Sequence, residues 1–121
     1  MADPWPSEIR ASKDRRTLAV AFDNGESHTL PAEYLRVFSP SAEVQGHSPE
    51  QRVTVGGKSN VEILKVEPVG NYAVRLSFDD MHNTGIYTWN YLLTLGRQRE
   101  TNWTNYLAEL DSKGLSRSKG R

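Results

Sequence analysis

The chain has no cysteine among its 121 residues. That removes disulfides, thiolate metal ligation, thiolate-held iron–sulfur clusters and a cysteine nucleophile. No run approaches the roughly 18 consecutive apolar residues of a membrane span, so no membrane partner is expected. Residues 1–7 carry two prolines and neither a basic region nor an apolar stretch, so they do not read as a secretory signal. With the missing thiols, this points to the cytoplasm. Net charge is also lacking, 15 Lys plus Arg standing against 15 Asp plus Glu. The balance hides an asymmetry: Lys113, Arg117, Lys119 and Arg121 put +4 in residues 112–121 and leave −4 in residues 1–111. A segment with one apolar residue and four basic ones reads as a disordered, solubilising tail. The body offers no basic face, so a nucleic-acid partner is not expected.

What is present suits one domain. Its expected bounds are 8–111, after a flexible N-terminus at 1–7 and before the tail at 112–121. Strands are expected at 8–11, 17–22 and 27–30, with Leu18, Val20 and Phe22 on one face. Asp23-Asn24-Gly25-Glu26 supplies the turn. Pro31 then opens a helix burying Tyr34 and Leu35. Further strands are expected at 61–68 and 72–78, turning at Pro68-Val69-Gly70-Asn71, with a short one at Ile86-Tyr87. Thr88 caps a helix that Gly96 stops. A last helix over 100–112 carries Trp103, Tyr106, Leu107 and Leu110 as one apolar stripe. The fold class is α+β: small, mostly antiparallel sheets from two β-hairpin-plus-helix units, with the C-terminal helix packed on the core.

Two segments echo each other. Leu18-Ala19-Val20-Ala21-Phe22 and Val74-Arg75-Leu76-Ser77-Phe78 each precede an acidic turn, a short strand and a helix with Tyr-Leu. Neither unit can bury its apolar face alone, so the two are expected to face each other across one core. Between them, residues 39–60 are almost wholly polar. Ser39-Pro40 is expected to open one helical turn ending at Gly46, and Val53 and Val55 to form a brief strand. So long an irregular stretch is seldom kept without a use.

Catalytic patterns are weak. Gly56-Gly57-Lys58-Ser59 lacks the earlier glycine of a phosphate loop, Arg52 standing there instead. No serine has a nucleophile-elbow context. Asp79, Asp80 and His82 form the one suggestive cluster, since carboxylate and imidazole together suit a divalent metal. Its simpler reading is a solvated acidic turn. His47, in the polar stretch, is the remaining ligand type that folding would have to bring near. Aromatic residues crowd the last third and serve mainly as core.

Three ordered stretches carry a family resemblance. They are residues 35–47 (LRVFSPSAEVQGH), residues 67–74 (EPVGNYAV), and Phe78-Asp79-Asp80 with His82, Thr84-Gly85-Ile86-Tyr87 and Trp89. Together they resemble the gamma-butyrobetaine hydroxylase-like N-terminal domain family, whose small bacterial members were catalogued as a domain of unknown function. The resemblance implies an accessory domain without the hydroxylases' catalytic iron and 2-oxoglutarate unit, hence no enzyme activity of its own. It also implies a zinc site whose three cysteines match Ser39, Ser41 and Val44 and whose histidine matches His82. Three of those four ligands are missing here. A similar segment is fused to some P-loop iron–sulfur carriers, which implies an accessory role near metal-related systems. The expectation is a cytoplasmic, non-catalytic binding module with an unidentified protein partner and no cofactor. Its surface is placed at Glu43, Gln45, His47, Asp79, Asp80 and His82. The alternatives are a zinc or iron site at His47, Asp80 and His82, or a component of a 2-oxoglutarate oxygenase-like system.

Overall fold

The computed structural model describes residues 4–46 and 49–118. β1 (Pro6–Ala11), β2 (Thr17–Phe22) and β3 (Ser27–Pro31) form one antiparallel sheet in that order, followed by α1 (Ala32–Val37) and α2 (Ala42–Gln45). After a 3₁₀ turn at Pro49–Gln51, β4 (Ile63–Val69), β5 (Ala73–Phe78) and β6 (Gly85–Thr88) form a second. α3 (Trp89–Arg97) and α4 (Arg99–Ser112) complete the chain's helices among the described residues. Period-two alternation turns Leu18, Val20 and Phe22 of one sheet, and Val74, Leu76 and Phe78 of the other, into a shared core.

The echo extends much further than its sequence trace. Pro6 and Ile63 open β1 and β4, Ala32 and Trp89 open α1 and α3, and Ser41 and Gln98 precede α2 and α4, an offset of 57 residues that narrows to 56 across β2 and β5 and the turn after them. Local bonding repeats as well. Asp23 Oδ1 accepts the Trp5 amide, and Asp79 Oδ1 accepts the Glu62 amide. Asn24 Oδ1 accepts from Glu26 N–H just as Asp80 Oδ1 accepts from His82 N–H. Each first strand carries a bulge at the matching place, Pro6/Glu8 and Ile63/Lys65. The unit is therefore β-β-β-α-α, used twice.

The two units meet reciprocally. Tyr34 of α1 donates to the Leu95 carbonyl at 2.6 Å, and its counterpart Tyr91 of α3 donates to the Phe38 carbonyl at 2.5 Å. Leu95 and Phe38 are counterparts too. Ser39 lies against Gly85 while His28 lies against Gly96, another exchanged pair. Contacts in which i meets j′ and i′ meets j are those of a two-fold arrangement.

Gly96 lies inside α3 and does not end it, since the helix continues to Arg97. Its role is close approach: a Cβ there would stand 2.5 Å from the His28 ring. Gly96→Ala is expected to cost about 1–2 kcal/mol in urea unfolding, overpacking outweighing alanine's better helix propensity.

Several boundaries differ from expectation. The N-terminal segment is not free from residue 5 onward: the Trp5 carbonyl accepts the Asp23 amide, and the Trp5 ring packs beside Trp89. α2 starts two residues after Pro40, because Ser41 and not Ser39 caps it, accepting from the Glu43 amide. Val53 and Val55 form no strand. Their backbone is instead held by Val44, whose carbonyl accepts the Val53 amide, and by Tyr106, which donates to the Val55 carbonyl. Leu107 leaves the α4 stripe and is exposed, while Tyr106 and Leu110 are buried with Val37.

The largest correction concerns the tail. Gly114, at φ 67°, turns the chain back, and the Ser116 and Arg117 carbonyls accept the Gly57 and Ser59 amides. Arg117 forks onto Glu33 at 2.7 and 2.8 Å and lies over the Trp103 ring. A carboxylate only 7% exposed needs such a partner, which holds residues 115–117 against the body. Residues 119–121 lie outside the described residues.

Candidate functional site

The bend after α1 and the β5–β6 turn meet beside the core. The turn's geometry follows from its sequence: Asp80 Oδ1 accepts the His82 amide at 3.1 Å, and the Phe78 amide bonds the His82 carbonyl. His82 is thereby aimed inward. Its Nε2 lies 2.9 Å from Ser39 Oγ and its Nδ1 2.9 Å from Glu43 Oε1. Burial, reinforced by the Arg36 charge, pushes the imidazole's pKa down against the opposing pull of Glu43. The ring is thus neutral at pH 7, with Nδ1–H donating to Glu43 and Nε2 accepting from Ser39.

Beside it lies an ion cluster. Asp80 Oδ2 meets Arg36 Nε at 2.7 Å and Lys58 Nζ at 2.6 Å. Burial works to raise the Asp80 pKa, yet hydrogen bonds from Lys58, the His82 amide and Arg36 hold it at about 2. Ser41 Oγ bonds Thr84 Oγ1 at 2.7 Å, and Gln45 Nε2 donates to the Ser39 carbonyl. The two loops named from sequence are therefore in direct contact. Glu43, Gln45, Asp80 and His82 share one network, whereas Asp79 turns to the Glu62 amide and stays exposed. His47 lies outside the described residues. Arg36 and Lys58 carry no local signal in the sequence: Lys58 stands within the failed phosphate-loop pattern, and the pairs span 44 and 22 residues.

The order Ser39–His82–Glu43 matches the bonding of a Ser-His-acid relay. Ser39 is 0% exposed, however, and its Oγ also accepts the Ser41 amide at 3.3 Å. A nucleophile sealed from solvent meets no substrate, so the arrangement is a structural clasp. Nor do these residues fit zinc. Two ligands on a tetrahedral zinc stand about 3.4 Å apart, while Ser39 and His82 bond directly, and Val44 offers only a buried apolar side chain. Among the described residues no group of three or more His, Asp or Glu side chains is placed to hold a metal ion. No helix among them is long and apolar enough to cross a membrane.

The doubled β-β-β-α-α fold with a clasp between its halves defines a class of protein. The chain belongs to the gamma-butyrobetaine hydroxylase-like N-terminal family, matching it over residues 9–93. That family is defined by an N-terminal domain and not by a catalytic one. The fold is shared with two proteins solved in solution by NMR. One is 47% identical, with a TM-score of 0.84 over 99% of this chain and 94% of its own. The other is 45% identical, with a TM-score of 0.83 over 97% and 87%. A crystal structure of a protein of unknown function in the DUF971 family, from Acidithiobacillus ferrooxidans, is 41% identical over 78% of this chain and 98% of its own, with a TM-score of 0.65. No curated protein matches the chain.

Proposed function

We propose that the protein is a non-catalytic binding module that docks a protein partner on the Asp79–His82 turn, with Met81 as the anchor. One observation carries this reading. Met81 is 84% exposed and held at φ 75°, a left-handed conformation that costs a non-glycine residue about 1 kcal/mol or more. Its counterpart in the first unit is Gly25, at φ 93°, the residue type such a turn favours. A large, adaptable apolar side chain kept exposed against that cost suits a contact residue. Beneath it, the Asp80 ion cluster and the His82 clasp fix the turn, which lowers the ordering cost of binding. Asp79 and the 64% exposed Glu43 carboxylate give the anchor an acidic rim. The fitting partner surface is an apolar pocket edged by Lys or Arg.

Met81→Gly separates contact from fold. It relieves the backbone strain, so the variant is expected to be as stable as the parent or up to about 1 kcal/mol more stable. In quantitative affinity capture from the native host, it should lose the principal partner. Recovery of that partner in equal yield by the variant would overturn the proposal.

A further inference from the structure

One cavity is lined by residues of both units and by none of the Asp79–His82 turn. It has a volume of about 620 Å³, within the range of small-molecule sites. Tyr34, Pro31 and Trp103 supply an apolar wall, and Arg97, Arg99 and Arg117 converge on it. Two of these guanidiniums are fixed in advance. Glu26 holds Arg97 through Nε and Nη2 at 2.7–3.0 Å, and the buried Glu33 holds Arg117 through the same two nitrogens. Arg99 is anchored differently, donating from Nη1 to the Thr29 carbonyl at 2.8 Å. Among the described hydrogen bonds, Nη1 of Arg97 and Arg117 and both Nε and Nη2 of Arg99 remain unused.

Arg97 and Arg117 are each paired with a glutamate, Glu26 and Glu33, and among the described ion pairs Arg99 has no carboxylate partner. Oriented donors, an apolar aromatic wall and one guanidinium without a carboxylate partner call for a particular chemistry. We propose that this cavity binds a small organic acid: one carboxylate or phosphate on a flat apolar body. The acid group would sit at Arg99 beside the two fixed guanidiniums, with the body along Pro31 and Trp103. The chain's return brings Arg117 here from 84 residues beyond Glu33, so the segment that read as a solubilising tail completes the site.

The test is a ¹H–¹⁵N NMR titration of the full chain at constant ionic strength. Phenyl phosphate and phenylacetate are the probes, and benzyl alcohol is the neutral control. Saturable shifts confined to residues 96–104 and the Trp103 indole are expected with one or both acids, and the tighter acid identifies the headgroup. Arg99→Gln should weaken that binding about tenfold, the loss of one charge-assisted hydrogen bond, with other resonances unmoved. Arg10→Gln, at an exposed position on the sheet's far edge strand and not among the cavity's lining residues, should leave it unchanged. The proposal is overturned if neither acid saturates, if benzyl alcohol binds equally well, or if Arg99→Gln binds like the parent. Because the Met81 turn takes no part, loss of partner docking and loss of acid binding are separable results.

Discussion

Asp80→Asn is expected to destabilise the protein by about 2–3 kcal/mol at pH 7, the largest single-site loss outside the apolar core. The side chain keeps its shape, and its oxygen can still accept the His82 amide. The charge is lost, leaving Arg36 and Lys58 without their shared carboxylate. The pH dependence supplies the sharper check. Asp80 is held at about 2 in the fold against an ordinary 3.8. A carboxyl with a depressed folded pKa contributes stability that is complete above its unfolded value and disappears as pH falls toward the folded one. Urea midpoints of the parent should therefore drop between about pH 4 and pH 2, and those of the variant should be flatter across that window. His82 adds an earlier decline. Its folded pKa is also lowered, so stability begins to fall as pH drops through its ordinary 6.5. Both proteins should show that decline. Equal stability of the two at pH 7 would contradict the account.

The Asp80 result bears on what the sequence could disclose. Alternation and turn chemistry disclosed the strands, since Leu18-Ala19-Val20-Ala21-Phe22 and Val74-Arg75-Leu76-Ser77-Phe78 each bury one face whatever surrounds them. The echo between them was visible over a dozen residues, yet the repeat covers both α1/α3 and α2/α4. Its remainder is conserved as backbone geometry and not as residue type. Gly25 and Met81 share a left-handed turn, and Trp5 and Glu62 each donate their amide to the matching aspartate, although the paired side chains differ. The site was legible in part. Asp80 and His82 stood out as polar neighbours, but what they do depends on Arg36, Ser39, Glu43 and Lys58. Those partners are set by how two units dock, a long-range fact without local periodicity. The tail misled for the same reason. Residues 112–121 have the composition of a solvated end, and only the buried Glu33, far away in sequence, makes Arg117 a fixture.

The docking of the units can itself be tested through its exchanged tyrosines. Tyr34→Phe and Tyr91→Phe each remove one hydroxyl and leave a carbonyl of the opposite unit without its donor. Burial pushes the Tyr91 pKa up to about 12 and moves Tyr34 upward too, so both keep their donated proton well beyond neutral pH. Tyr34 is the more enclosed of the two and also accepts from Asn102 Nδ2 at 3.1 Å. Its replacement is expected to cost about 2 kcal/mol, and that of Tyr91 about 1 kcal/mol. The double variant should lose about 3 kcal/mol, a large share of the 5–15 kcal/mol typical of a whole domain. Urea unfolding of the four proteins gives the coupling directly. The loss should appear in midpoint with an unchanged slope, because the bonds clamp two units that unfold together. A double variant that instead unfolds in two steps would show each β-β-β-α-α unit standing alone. That is the opposite of what the shared core requires, since Leu18, Val20 and Phe22 of one unit lie in a single buried cluster with Val74, Leu76 and Phe78 of the other.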